Sequence, residues 1–134
     1  MTGVEEPGKV GPMTTIELPE TTPEHPFVRV TTAGETFYAT DIERRSTGAV
    51  HVFRTGHFGY VRLVSELRSV ELLTAAEYLA AFEVGTRVIV PKYGDTYVGR
   101  VMEIGRTRLV VRFLTRGGKV KTMSFAIRDV GIVR

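Results

Sequence analysis

The residues best suited to chemistry form a dense basic set near the C-terminus. On a predicted strand over 108–115, arginines alternate with apolar residues such as Leu109 and Phe113, and Lys119 and Lys121 return on the neighbouring strand. Successive side chains of a strand point to opposite faces, so the arginines would face solvent. Such a face suits phosphate groups; the alternative is a merely solvated strand. The candidate polyanion-binding residues are Arg100, Arg106, Arg108, Arg112, Arg116, Lys119 and Lys121.

Aromatic side chains in predicted loops form a second candidate site, comprising Tyr93, Phe58 and Tyr60. Together with Asp95, loop rings could enclose a methylated cation. They could equally stack on the bases of a nucleic acid. The alternative is that rings of this kind complete an apolar core. A core position is expected for Phe37, Phe53, Tyr97 and Phe113.

The sequence lacks the residue patterns of most catalytic and metal sites. It has no cysteine, which excludes disulfides, thiolate zinc sites and cysteine nucleophiles. His25, His51 and His57 are isolated, without metal-ligand spacing. No glycine-rich phosphate loop precedes a helix, and no serine or threonine has a convincing histidine and acid partner. We therefore predict a protein that is not an enzyme and has no metal or other cofactor.

Charge is distributed unevenly along the chain. Residues 1–26 carry a net charge of −4, residues 27–86 carry −1, and residues 87–134 carry +8. This asymmetry predicts an acidic partner for the C-terminal part, either nucleic acid or an acidic protein. No run of about 18 apolar residues and no secretion signal occur, which favours a cytoplasmic protein, or a virion component, without a membrane partner.

The elements that must position these residues are revealed by an internal repeat. Shifting the chain by 60 residues aligns 28–73 with 88–133 without gaps. Identical pairs include Val28 and Val88, Val30 and Val90, Gly34 and Gly94, Thr36 and Thr96, and Phe53 and Phe113. Each repeat predicts about five short strands separated by turn residues. The fold class is therefore all-β, with two similar units.

The segments outside the repeats have distinct compositions. Residues 74–86 predict a linker helix over Ala75–Phe82, because Thr74 and Glu77 form a capping box and Gly85 suits the C-terminal cap. Residues 1–26 are acidic and rich in proline, which predicts an extended arm. The arm could fold back on the basic unit, hold a neighbouring subunit, or remain a solubilising tail.

The second repeat resembles the SH3-like barrel superfamily in its Tudor-like and KOW-like forms. The resemblance lies in Gly85–Val88, Tyr97–Val101 and Val111–Phe113, which match a G-x-x-V strand, an aromatic-led strand and a V-x-F strand. It implies two tandem small barrels, at 27–73 and 87–134, joined by the linker helix. It also implies binding of nucleic acid, methylated tails or protein partners, because such barrels are binding modules.

Three functional hypotheses follow from these observations. The first is a non-enzymatic protein whose basic second unit binds a polyanion, with nucleic acid favoured. The second is a structural or assembly subunit, for example a phage virion or connector protein, whose arm holds neighbouring subunits in a homo-oligomer. The third is a Tudor-like reader of methylated residues that uses the loop aromatics.

Overall fold

The computed structural model describes residues 16–133. The first repeat forms one five-stranded antiparallel sheet in the order β4-β3-β2-β1-β5. Its strands are β1 (Phe27–Thr32), β2 (Thr36–Arg44), β3 (Val50–Arg54), β4 (Val61–Arg62) and β5 (Leu67–Leu73). The second repeat forms another such sheet, in the order β10-β6-β7-β8-β9. Its strands are β6 (Arg87–Lys92), β7 (Asp95–Ile104), β8 (Arg108–Leu114), β9 (Val120–Ala126) and β10 (Gly131–Ile132).

The two sheets have the same topology, and the all-β prediction is confirmed. In both sheets the first strand of the repeat pairs with the second and the fifth strands, and the registers of these pairs recur sixty residues apart. Val28 faces Ala39 in the first sheet. Val88 faces Gly99 in the second. Neither sheet closes on itself within the described residues, because the outer strands of each one do not pair with each other.

The two repeats differ in the position of a β-bulge on their second strand. It lies at Thr40 in the first sheet and at Met102 in the second, so the pairing with the next strand shifts. A bulge changes which side chains face inward, because alternation along a strand has a period of two. On β3 the buried residue is consequently Val52, whereas β8 buries Phe113, which the repeat aligns with Phe53. The expected core position of Phe53 is therefore wrong: this ring is only half-buried.

The linker helix α1 covers Ala75–Leu79, shorter than the predicted Ala75–Phe82. Its capping box is confirmed, with the Glu77 backbone N–H 3.1 Å from Thr74 Oγ1 and the Thr74 N–H 2.8 Å from Glu77 Oε1. These backbone and side-chain hydrogen bonds with Thr74 lower the pKa of Glu77. Beyond Leu79 the chain turns through shorter-range backbone hydrogen bonds, which bring Phe82 back to the core beside Tyr78.

The helix joins the two repeats through a shared apolar core. Tyr78 is fully buried, and its ring stacks on Phe27 of the first repeat with centroids 4.2 Å apart. Its hydroxyl donates a hydrogen bond to the Val130 carbonyl of the second repeat. Burial raises the pKa of Tyr78, which keeps this donor protonated. The interior of the second sheet thus extends across the repeat boundary to Phe27 and Leu73.

Two glycines allow the units to approach closely behind this core. Gly56, which follows β3, lies against Ile89 and Gly131 of the second sheet. Gly131 in turn lies against the Thr55 backbone. A side chain at either position would overlap the facing backbone.

No helix among residues 16–133 has the length and apolarity needed to cross a bilayer.

Candidate polyanion-binding face

A row of arginines crosses the outer face of the second sheet. The hairpin turn between β6 and β7 has left-handed backbone at Tyr93 and Gly94, with φ of 52° and 74°. This two-residue turn sets a register in which Arg87 faces Arg100. The pairing of β7 with β8 then places Arg100 opposite Arg112. We call Arg87, Arg100 and Arg112 the arginine row.

The arginine row concentrates like charge on adjacent strands. Directly opposite side chains lie within about 5.5 Å at their backbone, and like charges in such pairs destabilise a sheet. All three side chains are exposed, and none makes a salt bridge with an acidic residue in the described part of the chain. Arg100 Nη1 donates to the Gly85 carbonyl oxygen at 2.9 Å, which orients its guanidinium. An external anion would relieve this repulsion.

An exposed apolar row runs beside the arginine row. Val98 follows the same face of β7, and Leu114 on β8 faces Val120 on β9. We call Val98, Leu114 and Val120 the apolar row. Together with the arginine row and Met102 it lines a shallow groove of about 370 Å³. The groove therefore combines positive charge with apolar contact surface.

Two further predicted arginines lie at the end of this face near the turn between β7 and β8. Arg108 is held along β9, because its Nε donates to Ser124 Oγ at 2.7 Å and its Nη2 to the Ser124 carbonyl at 3.0 Å. Arg106 is exposed in the turn itself. The guanidinium of Arg108 therefore adds positive charge to this end of the face, but its orientation is fixed by its hydrogen bonds to Ser124.

The remaining predicted cations do not join the arginine row. Arg116 forms a salt bridge with Asp95, which offsets its charge. Lys121 faces Phe113, whose side chain points into the core, so this lysine belongs to the opposite side of the sheet. Lys119 has the same parity as Lys121 and pairs with Thr115 across the hairpin. The expectation that both lysines extend the arginine face is thus wrong, because the hairpin register turns them away.

The aromatic candidates are exposed but separate. Tyr93 stands at the β6–β7 turn, edge-on to Tyr97 with centroids 6.4 Å apart. Tyr60 stacks on His51 at 4.0 Å on the first sheet, and Phe58 is exposed in the preceding loop. No ring contact among residues 16–133 brings Tyr93 together with either of the other two. The three rings therefore form no common cage in the described part of the chain.

The start of the described part of the arm, at Ile16 and Leu18, lies on the first sheet. Arg44 Nη2 donates to the Ile16 carbonyl at 2.9 Å, and Leu18 packs against the core of the first sheet. Thr21, Thr22 and Pro26 line a pocket with Thr107 and Arg128 of the second repeat, and no residue of 16–26 lines the groove beside the arginine row. The fold-back of the arm on the basic unit stays a prediction. The rest of the predicted arm, residues 1–15, lies outside the described residues.

Arg87 was not identified from the sequence, although a signal for it exists. Counting back from a two-residue turn at Tyr93 and Gly94 pairs Arg87 with Arg100. That count requires a left-handed tyrosine, which is uncommon for residues other than glycine, asparagine and aspartate. A turn with one more residue would have placed Arg87 on the opposite side from Arg100.

Comparisons with other proteins add no further indication of function. No protein-family model, no curated protein and no solved structure matches this chain. Within residues 16–133, no group of three or more histidine, aspartate or glutamate side chains could hold a metal ion. The outer face of the second sheet is therefore the feature from which a function is inferred.

Proposed function

We propose that this chain is a non-enzymatic binding protein that engages a polyanion, nucleic acid, through the arginine row. The observation that supports this proposal is the placement of three exposed arginines directly opposite one another on three adjacent strands. Neighbouring strands are about 4.8 Å apart, so the row spans about 10 Å. Successive phosphates on a nucleic acid strand can meet several of these cations at once. Each contact releases condensed counterions, which makes binding favourable at low salt.

The resemblance to SH3-like barrels belongs to the same proposal. Two units of five antiparallel strands in one shared order support it, together with the turn at Tyr93 and Gly94. In this view the first unit supports the second, and the second makes the contact. The charge difference between the repeats favours this division, since the excess of positive charge lies in residues 87–134.

The other two hypotheses draw less support. A reader of methylated residues needs converging rings, and the exposed rings of the two units stand apart. An assembly subunit held together by its arm needs an arm that reaches a neighbour. Ile16 and Leu18, however, contact the first sheet of their own chain.

The proposal is tested by fluorescence anisotropy with a labelled oligonucleotide between 50 and 200 mM salt. The triple variant Arg87→Gln, Arg100→Gln, Arg112→Gln removes the arginine row. Each lost phosphate contact should lower the slope of log affinity against log salt by about 0.7 to 0.9. Three lost contacts then weaken binding on the order of 10²- to 10³-fold at about 50 mM salt.

A matched control makes the same change in net charge elsewhere. Arg62, Arg68 and Arg128 are exposed and lie outside the groove. The triple variant Arg62→Gln, Arg68→Gln, Arg128→Gln should keep nearly the full affinity and salt slope. Absence of oligonucleotide binding by the unmodified protein at 50 mM salt would refute the proposal, as would equal losses in the two triple variants.

A further inference from the structure

The groove carries two different surfaces in parallel. The apolar row lies two residues along the strands from the arginine row. Val98 and Arg100 are two positions apart on the same face of β7, and Leu114 and Arg112 are two positions apart on the same face of β8. At about 3.4 Å per residue, the two rows are separated by about 7 Å. A ligand seated in this groove would meet cations along one side and aliphatic side chains along the other.

The three side chains of the apolar row are all exposed. Val98, Leu114 and Val120 have 48%, 60% and 64% of their surface accessible. The alternate positions on β8 are buried, so the strand has a fully formed core on its inner side. The apolar row is therefore surplus to the core, and covering it would be favourable.

The shape of the sheet disfavours a duplex as the ligand. A major groove is about 12 Å wide and admits a helix or a two-stranded ribbon, whereas four strands of this sheet span about 14 Å between the outer backbones alone. The face could meet a duplex only across its phosphate backbones. In that arrangement the apolar row would lie against charged groups, and its burial would gain little.

A single strand has the complementary arrangement. Its phosphates lie along one side, and its unpaired bases offer apolar faces on the other. Phosphates on the arginine row would then leave bases over Val98 and Leu114. Aliphatic side chains stabilise a bound base less than aromatic rings do. They accept any base, because they contact the flat face of the base rather than its hydrogen-bonding edge.

We infer that the ligand of this face is single-stranded nucleic acid, with phosphates on the arginine row and bases on the apolar row. This inference rests on the proposed function and narrows it to one class of nucleic acid. It assigns Val98 and Leu114 as contact residues that carry no charge. Their contribution to affinity is accordingly independent of salt, in contrast to that of the arginines.

The test compares a 20-nucleotide oligothymidine with a 20-base-pair duplex, using the full chain. The double variant Val98→Ser, Leu114→Ser removes apolar surface without changing charge. Its affinity for the single strand should fall about tenfold, equivalent to about 1.4 kcal/mol, with an unchanged salt slope. The matched control is Val64→Ser, Val84→Ser, which alters two exposed valines outside the groove and should bind as the unmodified protein does.

The outcomes separate the two levels of the proposal. If neither oligonucleotide binds, the proposed function itself is wrong. If the duplex binds as tightly as the single strand, nucleic-acid binding stands and the inference of strandedness is overturned. Equal affinity of the groove variant and its control for oligothymidine would also overturn it. Circular dichroism confirms that each variant is folded, which is expected because none of the four positions belongs to the buried core.

Discussion

Replacing Gly56 with alanine should weaken the contact between the two units. A Cβ atom at this position would lie 2.6 Å from the Gly131 backbone nitrogen, and closer still to the Ile89 carbonyl oxygen. Backbone atoms of paired strands cannot rotate away as a flexible side chain can. The variant must therefore either push the second sheet away from the first or distort the turn after β3.

The magnitude is obtained by comparison with Gly48, which also has left-handed backbone. Gly56 has a φ of +79° and Gly48 a φ of +91°, so alanine should cost each about 1 to 2 kcal/mol of conformational energy. Nothing lies within 4 Å of a Cβ atom at Gly48, so that variant carries no further penalty. Overpacking at Gly56 should add about 1 to 3 kcal/mol. At about 4 °C per kcal/mol, Gly56→Ala should melt roughly 4 to 12 °C below Gly48→Ala.

The assay is thermal unfolding followed by circular dichroism, with urea unfolding as an independent measure of the free energy. Limited proteolysis of Gly56→Ala should also show faster cleavage, since the units share a core through Phe27 and Leu73. If Gly56→Ala and Gly48→Ala melt within about 1 °C of each other, the two units do not pack at Gly56, and the reasoning is refuted.

Two further predictions concern the linker helix. Tyr78→Phe should lower the free energy of unfolding by about 1 to 3 kcal/mol in urea unfolding, because the buried Val130 carbonyl loses its donor; an unchanged midpoint would contradict this hydrogen bond. Glu77 has a lowered pKa in the folded state, so its contribution to stability is present above its ordinary pKa and is lost as pH falls through the folded value. The difference in melting temperature between the unmodified protein and Glu77→Gln should therefore narrow from pH 7 to pH 3, and a constant difference would exclude the capping role.

Local features of the fold were predictable from the sequence because neighbouring residues decide them. The capping box depends only on Thr74 and Glu77, three positions apart. The β6–β7 turn depends on Gly94 and its immediate neighbours. Strands were predicted from alternating apolar residues. On β8 these apolar residues are the ones that face the core. The exposure of Arg112 was predictable for the same reason.

The composition of the candidate site was less predictable because register determines it. Arg87 joins the site only through a two-residue turn, and Lys121 leaves it only through the β8–β9 hairpin. In both cases a shift of one residue would exchange the faces. The bulge at Thr40 moved Phe53 out of the expected core for the same reason.

The sequence by itself determined that this chain contains two similar all-β units, that positive charge is concentrated in the second, and that a capped helix lies between them. These properties follow from composition, periodicity and short-range contacts. Only the tertiary structure decided that Arg87, Arg100 and Arg112 form one row beside Val98 and Leu114. Strand pairing brings together residues that are distant in the chain. Which charged side chains share a face depends on bulges and turns, and the geometry of these is stabilised by the whole sheet.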